Sequence, residues 1–175
     1  MGRIIAVYGA IAGVIVIIGM FISVTFVTDH GTMGMVAGYL SMLVGLLFVF
    51  VGVKRYRDVE CGGVVSFGRA FAVGLGIALV AAVIYALGWE LYLAVSGKDF
   101  MAEYTASILD RMRAEGATPA AIAAKAAEMR AMAEAYRNPL FRLPMTFVEI
   151  FPVGLVVTLV SAALLRNPRL LPARS

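Results

Sequence analysis

Two carboxylates set inside apolar stretches are the residues of this chain best placed to do chemistry. Glu90 interrupts the run from Ala70 to Gly97, and Glu149 interrupts the run from Leu143 to Leu165. If both runs cross a bilayer, each acid lies about seven residues from the same boundary, roughly 10 Å below it at 1.5 Å per residue. The two runs are then antiparallel, and the acids reach matching depths. A charge at the centre of a membrane helix costs about 2.5–3.5 kcal/mol on insertion scales. An acid retained there calls for a proton, a cation, a polar ligand or a basic partner. Pro152, three residues after Glu149, cannot donate to the Val148 carbonyl and leaves a free acceptor near that acid. Arg142, two turns before Glu149, offers a plainer outcome, an ion pair that fixes helix register. Glu149, Glu90, Pro152 and Arg142 form the candidate intramembrane polar site.

Around these acids the sequence supplies no nucleophile, base and orienting group in combination. Two carboxylates alone do not make a hydrolase. Cys61 is the single cysteine and His30 the single histidine, so one chain builds neither a disulfide nor a multi-His metal site. No catalytic residue, no cofactor and no metal is expected.

The elements that must hold the acids follow from composition. Of 175 residues, 62% are hydrophobic and 15% charged, and the mean hydropathy is +0.92. Soluble domains carry about a quarter charged residues. The balance excludes a soluble enzyme, a nucleic-acid-binding module and a disordered chain. About 20 residues of helix cross a hydrocarbon core, and four runs qualify, at 4–28, 31–53, 70–97 and 143–165. Runs of this length without alternation favour helices over barrel strands. The expected fold is all-α, an integral membrane four-helix bundle forming a single membrane domain over 1–175. The first run is too long for a signal-peptide core and is expected to stay as an anchor and first span.

Between the third and fourth spans lies a polar stretch, 98–142. Phe100, Tyr104, Ile108 and Met112 recur every four residues and make one apolar stripe. Gly116 ends that helix, and Thr118-Pro119 supplies an N-cap and a first-turn proline for a second. In the second, Ile122, Met129, Met132 and Tyr136 share a face, and Asn138-Pro139 closes it. Arg111 with Glu115, and Arg130 with Glu134, are spaced to pair across one turn. The stretch reads as an αα-hairpin. Eight basic residues fall on the side of the termini and seven on the hairpin side. The eight crowd close to span ends, which puts both termini in the cytoplasm and the hairpin outside.

Small residues supply the packing surfaces. Gly9 and Gly13 in the first span, and Gly34 and Gly38 in the second, are small-xxx-small pairs. Gly31, Gly38, Gly45 and Gly52 repeat every seven residues and keep a flat stripe along the second helix. Such a stripe serves packing within the chain or a seam between two copies. Lys54, Arg55 and Arg57, beside a span end, suit anionic lipid headgroups or simply anchor the span. Ser66 is placed to cap the third span. Tyr85, Trp89 and Tyr92 around Glu90 resemble an aromatic belt at a membrane boundary.

Two stretches carry a family resemblance. One is Gly52-Val53-Lys54-Arg55-Tyr56-Arg57-Asp58 with Gly63-Val64-Val65-Ser66-Phe67-Gly68-Arg69-Ala70-Phe71, and the other is Glu149-Ile150-Phe151-Pro152-Val153-Gly154-Leu155. With the layout of four spans and a charged helical insert before the last, the chain resembles the bacterial domain of unknown function 4199 family. The resemblance implies a multi-pass protein of the bacterial inner (cytoplasmic) membrane, and it brings no assigned activity. The function expected is that of a non-enzymatic accessory, binding or assembly protein. Its partners are the lipid bilayer and either further copies of itself or another membrane protein, not nucleic acid. The alternative is a small oligomeric transporter or channel that uses Glu149 and Glu90 in one cavity.

Overall fold

In a bilayer, backbone polar groups have no water to bond and must be satisfied inside their own helix. The long uncharged stretches obey this in the computed structural model, which describes residues 1–26, 32–97 and 99–172. In chain order the helices are α1 (Gly2–Phe26), α2 (Thr32–Glu60), α3 (Phe67–Ser96), α4 (Phe100–Ala114), α5 (Pro119–Tyr136) and α6 (Pro139–Leu165). Among the described residues there is no strand. α1, α2, α3 and α6 are each long and apolar enough to cross a membrane. Asp29, His30, Gly31, Lys98 and Arg174 lie outside the described residues, as do the surroundings of Gly34.

Helix ends depart from the limits of the apolar runs, and local chemistry explains three of the departures. α2 does not stop at Val53 but continues two turns to Glu60, and the expected 54–69 loop shortens to 61–66. Lys54 and Asp58 pair one turn apart and carry the helix past the apolar limit. The Ser66 hydroxyl accepts the Arg69 N–H and starts α3 at Phe67. At the other end the Asn138 side chain accepts the Leu140 N–H at 3.0 Å, and Pro139 opens α6 four residues before the expected 143. α6 holds both Pro144 and Pro152 in its interior.

The αα-hairpin is present. Gly116, at φ +76°, turns the chain after α4, and the Thr118 hydroxyl accepts the Ala121 N–H to begin α5. The ion pairs on it differ from those expected. Arg113 pairs with Asp110, Lys125 with Glu128 and Arg137 with Glu134, all at a spacing of three rather than four. Phe100 sets its ring edge-on to Trp89 at 4.9 Å and stacks on Tyr104 at 5.9 Å, which seats the start of α4 on α3.

The long helices pack α1 on α2 and α3, and α6 on α3 and α2. Glycines line these contacts. A Cβ on Gly9 would sit 2.6 Å from Val80 Cβ, one on Gly13 would sit 2.8 Å from Ile84 Cβ, and one on Gly45 would lie 3.0 Å from the Ala12 carbonyl oxygen. Gly52 faces Tyr8 and Ile77 in the same way. Gly9, Gly13, Gly45 and Gly52 are thus consumed inside the chain, and Gly38 alone among the described members of the stripe faces open space. Tyr85, Trp89 and Tyr92 are buried at 4%, 7% and 8% exposure, so they form part of the interior and not a lipid-facing belt.

A methyl group at Gly9 meets an atom fixed to the α3 backbone, and the two helices must separate to admit it. Gly9→Ala is expected to lower stability by about 1–3 kcal/mol, the usual cost of overpacking. Gly38→Ala, with nothing within 4 Å, is expected to be neutral. Unfolding of both variants in mixed micelles by titration with a denaturing detergent measures the difference.

Candidate functional site

Two of the four candidate residues, Glu90 and Arg142, meet near the hairpin ends of α3 and α6 in an ion pair. The Arg142 guanidinium grips Glu90 with two parallel bonds: Nε donates to Oε1 at 2.6 Å and Nη2 donates to Oε2. Both side chains are largely buried, at 14% and 21% exposure. The third nitrogen, Nη1, donates to the Tyr136 carbonyl oxygen at 2.9 Å, and the guanidinium carbon lies 5.4 Å from the Tyr136 ring centre. Trp89 Nε1–H donates to the Tyr136 hydroxyl at 2.5 Å. Burial raises the Tyr136 phenol above its ordinary range, against the lowering by the Trp89 N–H and the Arg142 charge, so it stays neutral. One residue of α5 is thereby tied to α3 by its hydroxyl and to α6 by its ring and carbonyl. The hairpin is jointed to the spans at this point.

Glu149 makes none of the joint's hydrogen bonds, although its charge acts on the Tyr136 phenol. Arg142 is committed to Glu90, and the expected alternative of an Arg142–Glu149 pair does not form. Nor do the two acids meet. Counted from the helix ends, Glu149 lies ten residues into α6 and Glu90 six residues before the end of α3, so Glu149 is about 6 Å the deeper of the two. Depths counted from the apolar limits made them equal; the earlier start of α6 brings Arg142 into the helix within reach of Glu90 and sets Glu149 deeper. Its polar neighbour is the Tyr85 hydroxyl on α3. The Glu149 residue is exposed at the helix surface, next to exposed Val148 and Pro152. The transport alternative needs Glu90 and Glu149 in one cavity, and this arrangement gives it no support.

At the opposite end, where the amino terminus and the segment after α6 meet the end of α2, the basic residues divide. The amino terminus pairs with Glu60. Arg57 is wholly buried. Its Nε donates to Asp58 Oδ1 at 2.7 Å, Nη1 to the Leu170 carbonyl oxygen at 2.9 Å, and Nη2 to that of Leu171. It therefore clamps the segment after α6 and cannot touch lipid headgroups. The expectation for Arg57 fails because the returning chain supplies carbonyl acceptors that the headgroup reading left out. Lys54 is half-buried on Asp58, and Arg55 remains exposed. Among the described residues no group of three His, Cys, Asp or Glu side chains is placed to hold a metal ion.

The family described as a protein of unknown function, DUF4199, matches residues 7–167, nearly the whole chain. The chain belongs to that family. No curated protein and no solved structure matches it. The DUF4199 match spans both the Glu90–Arg142 joint and the Arg57 clamp, and it carries no activity to assign to either. The family and four apolar helices together describe a multi-pass membrane protein.

Removing one member of the ion pair strands the other. Glu90→Gln and Arg142→Gln are each expected to cost about 3 kcal/mol, the low end for breaking a buried pair because both groups keep some exposure. The double variant is expected to cost clearly less than the sum. Thermal unfolding of the four proteins in detergent provides the cycle, and additive losses would show that the two groups do not act together.

Proposed function

We propose that this DUF4199 protein is a non-enzymatic accessory or assembly protein of the bacterial cytoplasmic membrane. It holds a membrane partner, another copy or a different protein, against the Glu149 face of α6, and it presents the α4–α5 hairpin on the extracytoplasmic side. The observation that carries this is the exposure of Glu149 at depth. Ionisable residues within membrane spans turn toward protein or a water-filled cavity, since lipid offers them nothing to bond. Glu149 instead stands on the outside of its own chain, with Tyr85 beside it, Val148 exposed next to it and Val156 exposed two turns along. A polar group from a second membrane chain would complete its surroundings.

The orientation is supported by basic residues near the span ends on the side of the termini, including Arg3, Arg55, Arg69 and Arg166, all exposed. In a Cys61→Ser background, Ala124→Cys on α5 is expected to react with a membrane-impermeant maleimide in intact cells. Wild-type Cys61 is expected to react only after permeabilisation. The reverse pattern overturns the orientation.

A photoreactive side chain at position 156, two turns from Glu149, is expected to give one discrete adduct in native membranes. The adduct is expected to fall at least fivefold in Glu149→Leu, with expression unchanged. No adduct, or one indifferent to Glu149, would defeat the assembly reading.

A further inference from the structure

The two helices of the hairpin diverge around a cleft of about 800 Å³, within the range of small-molecule sites. Four arginines line it, Arg113, Arg130, Arg137 and Arg142, together with Asp99 and Asp110. Asp99 is engaged in capping α4, where it accepts the Ala102 N–H at 3.0 Å, and Asp110 pairs with Arg113. Glu90 and Glu134, the partners of Arg142 and Arg137, are not on the wall. Arg130 has no ion-pair partner among the described residues. The Arg113–Asp110 and Arg137–Glu134 pairs are well exposed on both sides. Exposed pairs of this kind contribute little, so those two guanidinium groups exchange partners readily.

The level of the cleft narrows the choice of anion. Leu93 and Arg142 form part of its floor. Leu93 lies three residues before the end of α3 and Arg142 three residues after the start of α6. At 1.5 Å per residue, the floor is within about 5 Å of the ends of the spans, where lipid headgroups sit. Leu93, Met101, Leu109 and Met129 supply apolar surface below and beside the arginines. Arginines beside apolar side chains, near headgroup height, match a phosphate carrying acyl chains.

We infer that the α4–α5 cleft binds the headgroup of an anionic phospholipid from the adjoining leaflet, with Arg130 as the unpaired cation that meets the phosphodiester. This goes beyond the assembly reading and is independent of Glu149. The test is native mass spectrometry of the full chain, released from neutral detergent containing equal amounts of phosphatidylglycerol and phosphatidylcholine. The expected result is one retained phosphatidylglycerol, favoured at least fivefold over phosphatidylcholine. Arg130→Gln is expected to lower that preference at least threefold and Arg130→Glu to abolish it. Arg166→Gln with Arg169→Gln, at the far end of the molecule, is expected to leave it unchanged. Arg130 is exposed, and thermal unfolding should show its variants folded as wild type. Equal retention of the two lipids, or a preference lost with Arg166 and Arg169 but kept without Arg130, overturns the assignment. Displacement of the bound lipid by equimolar oleate would also overturn it, because it would make the site one for free fatty acid.

Discussion

The bidentate bond between Arg142 and Glu90 sets the arrangement of the hairpin half of the molecule. A guanidinium suits this place because its planar fork bonds a carboxylate twice and keeps a further donor for the Tyr136 carbonyl. A lysine ammonium is a point charge and would not hold these three directions at once. Both charges sit near the lip of the membrane, where screening by water is weaker than at a soluble surface and an unpaired partner is costly. The pair therefore fixes the register of α6 against α3. Through Tyr136 it also fixes where α5 must end.

Below the joint the helices are held differently. Lipid tails are as apolar as the side chains, so helices in a membrane associate through close packing and not through the hydrophobic effect. The glycines of α1 and α2 let neighbouring helices approach until a single methyl would clash. Because those glycines are spent inside the chain, the surface left for a partner is elsewhere. Large aliphatic side chains cover most of it, and Glu149 is the chemical exception.

Much of this was legible in the residues. The four spans follow from length and hydropathy alone, since no other structure satisfies so long an apolar backbone in lipid. The caps at Ser66 and Thr118 stand where the residue types place them, whereas Asn138 opens α6 and does not serve only to close α5. That one shift displaced the depth count and hid the Glu90–Arg142 pair. The aromatic trio around Glu90 was misplaced because a belt and a buried cluster use the same residue types. Arg57 was beyond reach. Its acceptors lie 113 and 114 residues away, in a segment whose path is set only once α6 has packed.

Four ionisable groups near or within the spans face the same problem and meet it in three ways. Arg57 satisfies its charge with an adjacent carboxylate and two carbonyls from the returning chain. Arg142 and Glu90 satisfy each other. Glu149 has one phenol within its own chain and an open side. The first two solutions are complete inside one chain and explain why the helices stand where they do. The third leaves one side of the deepest group open, and the assembly we propose would close it with a polar group from another molecule within the membrane.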